Sequence, residues 1–337
     1  RYKEEIFNEM PEVDAVIGIG AEGNIAELVK SVIEGERKYE MPSNEELPLV
    51  GERLLTTPEH WAYLKIADGC SNRCTYCAIP LIRGKMRSRT MKDIIEEATS
   101  LDALGIKELN LIAQDTSRYG LDLYGEYSLA RLVRAITEET TIPWIRLLYC
   151  YPDKITDELV AEIRDNDRIL KYIDMPIQHI SDNMLRAMNR HGDSKMIREV
   201  IAKLRREIPN IVIRTTFIVG FPGETDELFM ETYTFLRDVV RPAFIHIFPY
   251  SRRAGTPAAA RKDQVQDCVK TKRVQMLEAL CAQLHQEFLE SNAGVEESVL
   301  FESTDRKGMM EGYTGNYIRI SRPFDPELIG KIVKTII

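Results

Sequence analysis

Between residues 60 and 290, short apolar strands alternate with amphipathic helices. Parallel strands need long crossover connections, usually helices, so this order predicts an α/β fold with a parallel sheet covered by helices. Six such units are too few for a closed eight-fold barrel and favour a partial (βα)6 barrel, with functional groups at the carboxyl ends of its strands. The predicted strands are Ala62–Ala67, Glu108–Ala113, Trp144–Cys150, Tyr172–Ile177, Ile211–Phe221 and Ala243–Phe248.

The segment before this alternation predicts part of another α/β unit. Residues 13–20 predict a strand that ends in a glycine turn, and apolar residues recur at helical spacing from Ile25 to Ile33. One strand and one helix leave their apolar faces uncovered, so residues 1–40 are interpreted as the remnant of a larger domain. Prolines in residues 41–58 predict a linker.

The end of the chain differs again. A long helix is predicted from Gln264 to about Ser291. Short alternating runs follow, such as Ser298–Phe301 and Tyr317–Ile320, with glycines between them. Residues 293–337 therefore predict a small all-β domain.

Composition narrows the class of protein. Six cysteines in 337 residues do not resemble a small secreted disulfide scaffold. No apolar run reaches the roughly 18–20 residues of a membrane span, so we expect a cytoplasmic protein without a membrane partner. The net charge of −8 argues against a general nucleic-acid binder, although a local basic site remains open.

Three of the cysteines, Cys70, Cys74 and Cys77, follow the first predicted strand of the alternation. Three thiolates on one loop can each ligate one iron of a cubane cluster, whose full ligation takes four. With no fourth cysteine near in sequence, one iron would stay open to a ligand, as catalytic metal sites require. The alternative is a structural zinc site, for which His60 would have to supply a fourth ligand.

The C-x3-C-x2-C spacing resembles the radical S-adenosylmethionine (SAM) superfamily. Three further stretches resemble its methylthiotransferases, and the resemblance covers essentially the whole chain. It implies a remnant of a flavodoxin-like domain over residues 1–40, a radical SAM barrel over 59–292 and a TRAM-like β-domain over 293–337. The three stretches are Cys77–Gly84 with Arg87–Arg89, Ile218–Thr225, and Phe248–Ser251 with Gly255–Pro257.

The substrate is predicted from a shorter resemblance. Residues 172–182, with Gln178-His179 followed by Ser181-Asp182, resemble the branch of the family that modifies an aspartate of ribosomal protein uS12. Residues 149–158 and 248–253 resemble the same branch. The tail from Gly294 holds six Lys/Arg against seven Asp/Glu, and this near-neutral charge favours a protein over tRNA.

The resemblance also implies the cofactors. Cys70, Cys74 and Cys77 would hold a 4Fe–4S cluster whose open iron takes SAM, and reductive cleavage of SAM gives a 5′-deoxyadenosyl radical. That radical would abstract hydrogen from the aspartate β-carbon, where the methylthio group is inserted. A flavodoxin or ferredoxin would supply electrons. A second 4Fe–4S cluster carries the sulfur in this family, but no cysteine precedes Cys70, so we expect the natural protein to be longer.

Two positions near the cysteines are candidates for SAM binding by the same resemblance. Tyr76 would pack beside the adenine or, alternatively, shield the cluster from water. Gln114 and Asp115 end the second predicted strand, where either can accept a hydrogen bond from the SAM ammonium. The alternative for this second position is a helix N-cap by Asp115 or Thr116.

Four more candidates lie on later strands. Gln178 and His179 would reach the SAM ribose or the substrate, although a buried core histidine is the competing interpretation. Arg214 and Thr216 interrupt an apolar strand, and a charged side chain there needs a partner. Arg214 would meet the SAM carboxylate or an acidic partner; the alternative is an internal ion pair.

Two loop segments complete the set. Gly220, Gly223 and Glu224 would line the methionyl or adenine region of SAM, with turn geometry as their more certain role. The basic run from Arg83 to Lys92 predicts either a solvated surface or a contact with ribosomal RNA.

The remaining cysteines, Cys150, Cys268 and Cys281, are predicted to be ordinary thiols. Two rival functions stay open. One is a methylthiotransferase that acts on the adenosine beside a tRNA anticodon. The other is a non-enzymatic metal-binding module that docks on the ribosome.

Overall fold

The computed structural model of the protein describes residues 2–43, 49, 51, 54–56, 58–302 and 307–337. The strands are β1 (Ala15–Ile17), β2 (Lys38–Glu40), β3 (Trp61–Lys65), β4 (Ala67–Asp68), β5 (Arg87–Ser88), β6 (Glu108–Ile112), β7 (Trp144–Leu147), β8 (Tyr172–Asp174), β9 (Val212–Val219), β10 (Phe244–Pro249), β11 (Glu296–Phe301), β12 (Met309–Thr314), β13 (Arg319–Pro323) and β14 (Ile332–Ile336). The helices are α1 (Lys3–Glu9), α2 (Ile25–Ile33), α3 (Ile79–Arg83), α4 (Met91–Ala103), α5 (Leu121–Tyr124), α6 (Leu129–Glu139), α7 (Asp157–Asp165), α8 (Asp182–Ala187), α9 (Ser194–Glu207), α10 (Asp226–Phe235), α11 (Pro257–Ala260) and α12 (Asp267–Asn292).

The central part of the chain forms two sheets of three parallel strands, in the orders β3-β6-β7 and β8-β9-β10. A single bridge between Ile145 and Ile169 links the two sheets. Helices connect successive strands, so the predicted α/β class with crossover helices is confirmed. The main core packs the outward side chains of the strands, such as Leu64 and Leu109, against apolar helix residues such as Ile94 and Leu132.

Alternate strand residues face away from this helix-packed core, because the side-chain period of a strand is two. On neighbouring strands these inward positions hold Asn110, Arg146, Asp174 and Arg214, all partly or fully buried. The space enclosed by the strands is therefore polar, which suits a fold whose functional side chains lie between its strands.

The predicted strands are wrong mainly at their carboxyl ends, where they run too long. β7 ends at Leu147 rather than Cys150, and the next residues include Tyr149 at φ +59°. β8 ends at Asp174 rather than Ile177, shortly before Gln178 at φ +73°. β9 ends where Gly220 adopts φ +69°. A left-handed backbone cannot continue a pleated strand.

The amino-terminal segment is built from α1, β1, α2 and β2. The helix predicted from residue 25 to residue 33 is confirmed as α2. The predicted strand 13–20 is wrong in extent, because β1 spans only Ala15–Ile17 and a 3₁₀ helix follows at Ile19–Asn24. β1 pairs in parallel with β2, which the sequence analysis missed. Half of the predicted linker, residues 41–58, lies outside the described residues.

The carboxyl-terminal sheet is antiparallel, with the order β13-β12-β11-β14, which confirms the predicted all-β content of this segment. It packs against the inner side of the parallel strands. Arg146 pairs with Glu108 at 2.7 Å, donates from Nη1 to the carbonyl of Gly315 at 2.7 Å, and lies 3.7 Å above the ring of Tyr317. α12, predicted from Gln264, begins three residues later at Asp267.

None of the helices in the described part of the chain combines the length and the apolar character that a bilayer crossing requires.

Candidate metal and cofactor site at the cysteine loop

The cysteine loop, residues 70–77, follows β4 directly. Cys70 and Cys74 are buried, Cys77 is partly exposed, and none of the three forms a disulfide. Burial raises the pKa of the Cys70 thiol to about 11 and also raises the pKa of Cys77. A thiolate at these positions therefore needs compensation from hydrogen-bond donors, positive charge or a bound cation.

Each of the three sulfurs has one N–H donor directed at it. The bonds join Asn72 Nδ2 to Cys70 Sγ (3.5 Å), Arg190 Nη1 to Cys74 Sγ (3.9 Å) and the backbone N–H of Ile79 to Cys77 Sγ (3.4 Å). Hydrogen bonds to sulfur and low solvent exposure are the features by which proteins tune iron–sulfur clusters. The donor set thus fits thiolate ligands of such a cluster.

His60 does not lie where it could supply the fourth ligand of the alternative zinc site. His60 immediately precedes β3, whereas the cysteine loop lies beyond the other end of that strand, and a five-residue strand spans about 16 Å. The backbone carbonyl of His60 accepts from Lys107 and Glu108, at the start of β6. Within the ranges that the structure describes, no three His, Cys, Asp or Glu side chains converge to hold a single metal ion.

The turn that follows α8, residues 187–190, holds the cysteine loop in place by hydrogen bonds. Thr75 donates its backbone N–H to the carbonyl of Met188 (3.0 Å) and its hydroxyl to that of Ala187 (2.8 Å). Asn189, at φ +54°, donates from Nδ2 to the carbonyls of residues 72 (3.3 Å) and 73 (3.1 Å). These four bonds fix the loop to an element more than 100 residues away in sequence.

Arg190 and Asn72 are site residues that the sequence analysis missed. Arg190 is 8% exposed, donates to the carbonyl of Pro176, and lies 4.2 Å above the ring of Tyr151. Its sequence context, Met-Asn-Arg-His-Gly, is polar and gives no sign of burial. Asn72 lies between the first two cysteines, so its position alone was a signal that went unused.

The strand end at Gln114-Asp115 lies beside the cysteine loop, as predicted. Asp115 accepts from Asn72 (2.7 Å), Ser117 (2.6 Å) and Arg118 (3.0 Å), and burial raises its pKa. The alternative of a helix N-cap is wrong, because Asp115 caps no backbone N–H. The hydroxyl of Thr116 instead donates to the carbonyl of Leu148 (2.6 Å).

Two buried acceptor atoms near the loop have no hydrogen-bond partner within the described part of the chain. They are Gln114 Oε1 and Asn72 Oδ1. An unpartnered buried carbonyl oxygen is costly unless a ligand or water supplies the missing donor. A ligand ammonium such as that of SAM would satisfy one or both, so these residues fit the predicted cofactor.

Tyr76, within the cysteine loop, contacts the turn at Gly220–Glu224. Its ring meets that of Phe221 edge-on with centroids 6.4 Å apart, and Phe221 meets Tyr250 at 5.5 Å. The hydroxyl of Tyr250 is buried without a partner among the described residues. These rings provide an apolar wall with one free polar group; both interpretations of Tyr76 remain predictions.

The turn at Gly220–Glu224 is closed by the side chain of Glu224. Glu224 Oε2 accepts from the backbone N–H of Gly220 (2.6 Å) and from Arg273 (2.5 Å), and its Oε1 accepts from His179 (3.2 Å). Gly223, at φ +84°, would place a Cβ only 2.7 Å from Asp263 Oδ2, so the turn needs glycine there. The side chain of Glu224 is thus turned into the protein rather than toward a ligand.

His179 is the buried core histidine of the competing interpretation. Its Nδ1 accepts from the backbone N–H groups of Ile180 and Ser181, both at 3.0 Å, and its Nε2 faces Glu224. Both ring nitrogens are engaged within the fold, which favours the core interpretation over the predicted contact of this side chain with SAM or substrate. Gln178 precedes it in left-handed backbone, and its carbonyl accepts from Ile218 (3.0 Å).

Arg214 does not join the residues around the cysteine loop. It is the third residue of β9, and the five residues from there to Val219 span about 16 Å. It contacts the hydroxyl of Tyr172 (3.5 Å) and the ring of His246. The charge of Asp174, which lies directly opposite on β8, interacts with that of Arg214, although no carboxylate oxygen of the described residues is within 4 Å. This arrangement favours the alternative of an internal acidic partner. Thr216, two residues further, accepts at its carbonyl from Gln178 (2.8 Å).

The basic run from Arg83 to Lys92 is largely paired with acids elsewhere in the fold. The pairs are Arg83 with Asp68 (3.0 Å), Arg89 with Glu97 (2.6 Å) and Lys92 with Glu96 (3.7 Å). This pairing favours a structural role for the run over a contact with RNA. The remaining cysteines are free thiols: Cys150 is fully buried, Cys281 partly buried and Cys268 exposed.

Comparison with known proteins identifies the family to which this chain is similar. Residues 64–236 match the model of the radical SAM superfamily. The chain is 47% identical over 307 residues to "Ribosomal protein uS12 methylthiotransferase RimO" of Caldanaerobacter subterraneus subsp. tengcongensis, which covers 90% of this chain and 69% of the relative. The protein of the same name from Thermoanaerobacter sp. is 46% identical over 303 residues, with the same shares covered.

The chain belongs to the RimO family of radical SAM methylthiotransferases. The predicted resemblance to methylthiotransferases is thereby confirmed, and so is the likeness to the branch that carries Gln-His-x-Ser-Asp at residues 178–182.

A solved structure supports the fold of this RimO-family chain. The radical SAM methyltransferase TsrM from Kitasatospora setae, with tryptophan substrate and aza-SAM bound, aligns with a TM-score of 0.54 at 16% identity. The alignment covers 85% of this chain and 56% of TsrM. The low identity limits the likeness to the radical SAM fold.

Proposed function

We propose that this RimO-family protein inserts a methylthio group at the β-carbon of an aspartate of ribosomal protein uS12. The observation that carries the proposal is the cysteine loop, in which each of three sulfurs has an N–H donor beside two buried acceptors without partners. The curated relatives named for uS12 methylthiotransfer, at 46–47% identity, support the substrate.

The proposed architecture follows the same resemblance. The two parallel sheets, joined by the bridge at residues 145 and 169, would form a partial (βα)6 barrel within residues 59–292. Residues 1–40 would be the remnant of a flavodoxin-like domain, residues 41–58 a linker, and residues 293–337 a TRAM-like domain. The antiparallel order of the last sheet supports the final assignment.

In this proposal Cys70, Cys74 and Cys77 hold a 4Fe–4S cluster that, together with SAM, supplies a 5′-deoxyadenosyl radical. The protein's own residues bind and orient the reactants. Gln114 and Asn72 offer acceptors for the SAM ammonium, with Asp115 fixing the Asn72 amide. The apolar wall of Tyr76, Phe221 and Tyr250 would limit the access of water to the bound reactants.

The remaining parts of the proposal concern partners. A one-electron donor such as flavodoxin or ferredoxin would reduce the cluster, and the ribosome or ribosomal RNA would present uS12 in the cytoplasm. The second 4Fe–4S cluster of the family has no cysteine before Cys70 in this sequence. Cleavage of SAM at Cys70, Cys74 and Cys77 is therefore the part of the reaction that we propose for the residues of this sequence.

The test compares cells with and without the gene. Mass spectrometry of uS12 should show an aspartate heavier by one methylthio group only when the gene is present, while the methylthio nucleosides of tRNA stay unchanged. A gene-dependent change in tRNA, with uS12 unmodified, would refute the proposed substrate.

A further inference from the structure

Arg190 differs from the other buried arginines of the described chain. Arg89, Arg146 and Arg273 each pair with a carboxylate, namely Glu97 (2.6 Å), Glu108 (2.7 Å) and Glu224 (2.5 Å). Arg190 is just as buried, yet among the described residues no carboxylate lies within 4 Å of it. A buried charge without a counter-charge is strongly disfavoured, so this position calls for an anionic partner.

The surroundings of Arg190 leave one candidate for that partner. Its guanidinium lies over the ring of Tyr151, donates to the carbonyl of Pro176 and interacts with the phenol of Tyr76, and all three of these groups are neutral at pH 7. Its Nη1 lies 3.9 Å from Cys74 Sγ. A thiolate at Cys74 is therefore the negative group that the buried guanidinium faces.

Backbone and side-chain bonds hold the guanidinium in that position. The N–H of Arg190 donates to the carbonyl of Leu185 (2.8 Å), which ends α8 in a tight turn. The preceding residue, Asn189, is bonded to the cysteine loop at two carbonyls. The turn and the loop therefore move together, and Arg190 stays directed at Cys74.

We propose that Arg190 is a positioning residue that compensates the charge of the Cys74 thiolate and raises the reduction potential of the cluster bound there. The inference rests on the proposed ligation by Cys70, Cys74 and Cys77. Reduction adds one electron to the cluster and breaks no bond, and a fixed positive charge next to one ligand favours the more negative, reduced state. The guanidinium thus contributes to whether a weak biological donor can start the reaction.

The test uses the 337-residue chain reconstituted anaerobically with iron and sulfide, in the variants Arg190→Gln and Arg190→Lys. The matched control is Arg146→Gln, which removes another buried arginine that lies over a tyrosine ring and donates to a carbonyl, but at the carboxyl-terminal sheet. Iron and sulfide content and circular dichroism are measured first. Dithionite-poised titration followed by electron paramagnetic resonance, without SAM, then gives the midpoint potential.

We expect Arg190→Gln to make the cluster at least about tenfold harder to reduce at a fixed potential, a shift of 59 mV for one electron. Arg190→Lys should keep most of the wild-type potential because it keeps the charge. Arg146→Gln should lose folding stability but leave the potential unchanged.

Two results would overturn the inference. One is a folded Arg190→Gln variant with full iron content and the wild-type potential. The other is failure of both variants at position 190 to take up iron, which would assign Arg190 to the shape of the loop alone. If Arg190→Gln fails to load but Arg190→Lys loads at the wild-type potential, the charge role stands. Absence of iron in the wild type would refute the ligation itself, which separates this failure from the other two.

Discussion

Glu224 shows how a single buried carboxylate organises one wall of the site. It bonds to the backbone at Gly220, to Arg273 and to His179, and all of these groups are buried. Replacing it with alanine leaves Arg273 without its buried counter-charge. We expect Glu224→Ala to lower the free energy of unfolding by about 3–5 kcal/mol. Urea denaturation should show this loss, whereas the exposed Glu231→Ala should stay within about 0.5 kcal/mol of the wild type; equal effects would contradict this account.

His60 makes folding stability depend on pH. Burial lowers its pKa in the folded state below the ordinary value of 6.5, against the opposing charges of Glu108 and Glu59. The unfolded state therefore binds a proton more readily than the folded state, and stability falls as the pH drops through 6.5. Denaturation between pH 7.5 and about 5 should show a shallower decline in His60→Asn than in the wild type. A decline that is unchanged in His60→Asn but reduced in the exposed His191→Asn would contradict the assignment.

For individual residues, the sequence predicted the chemistry of a side chain better than the contacts that the side chain makes in the fold. The three cysteines were recognised from spacing alone, because ligands on one loop are close whatever the fold. His179 was assigned to the cofactor because it follows a predicted strand end, and Arg214 because a charged side chain inside an apolar strand needs a partner. The partner of His179 comes from 45 residues away in sequence, and Arg214 lies at a distance from the loop that strand length alone would have indicated. Such contacts are fixed by the tertiary fold.

Among the local elements, the turn at Gly220 is the one most sensitive to a small increase in side-chain size. Gly220 has φ +69°, and a Cβ there would lie 2.3 Å from Lys270 Cγ. Gly125 has a similar φ of +74° in the left-handed helical region, but nothing lies within 4 Å of its Cβ position. Gly125→Ala should therefore cost only the backbone strain, about 1 kcal/mol, and Gly220→Ala should cost clearly more. Thermal denaturation of both variants tests this order; an equal cost would show that Lys270 moves away freely.

The parallel direction of the strands was predictable at this scale, but strand ends were not. Alternation of apolar strands with helices fixes a parallel sheet, since the crossover must return to the same edge. Tyr149 and Gln178, which follow β7 and β8 by two and four residues, adopt left-handed backbone, a conformation that sequence patterns associate with glycine or asparagine. Strained residues of this kind cluster at functional sites, and these two stand at the carboxyl ends where the site is proposed.

The stability of the whole molecule depends on the contact between the carboxyl-terminal sheet and the parallel strands. The ring of Tyr317 lies beneath Arg146 at 3.7 Å and meets the ring of Tyr172 at 5.1 Å. Truncation to alanine removes both contacts at once. We expect Tyr317→Ala to lower the free energy of unfolding by about 2 kcal/mol or more, since a desolvated cation–π contact alone is of that size. Tyr317→Phe should keep most of the stability; an equal loss in both variants would contradict the role of the ring.

The pairing of distant segments is also what the sequence could least predict. The flanking segments were recognised by composition and periodicity. In the carboxyl-terminal sheet, the predicted run Ser298–Phe301 lies within β11, whereas only the last two residues of Tyr317–Ile320 lie in β13. The contact of residues 187–190 with the cysteine loop, and of Gly315 with Arg146, joins segments more than 100 residues apart. Neither contact leaves a local pattern in the chain, so both the loop support and Arg190 emerged only from the fold.

The central claim is that the cysteine loop supports cleavage of SAM. The measurement is anaerobic reconstitution of the chain with iron and sulfide, addition of dithionite and SAM, and detection of 5′-deoxyadenosine by mass spectrometry. The account predicts 5′-deoxyadenosine from the wild type and from the exposed control Cys268→Ala, and none from Cys74→Ala. A folded chain that binds zinc instead, or that holds an iron–sulfur cluster yet leaves SAM intact, would contradict it.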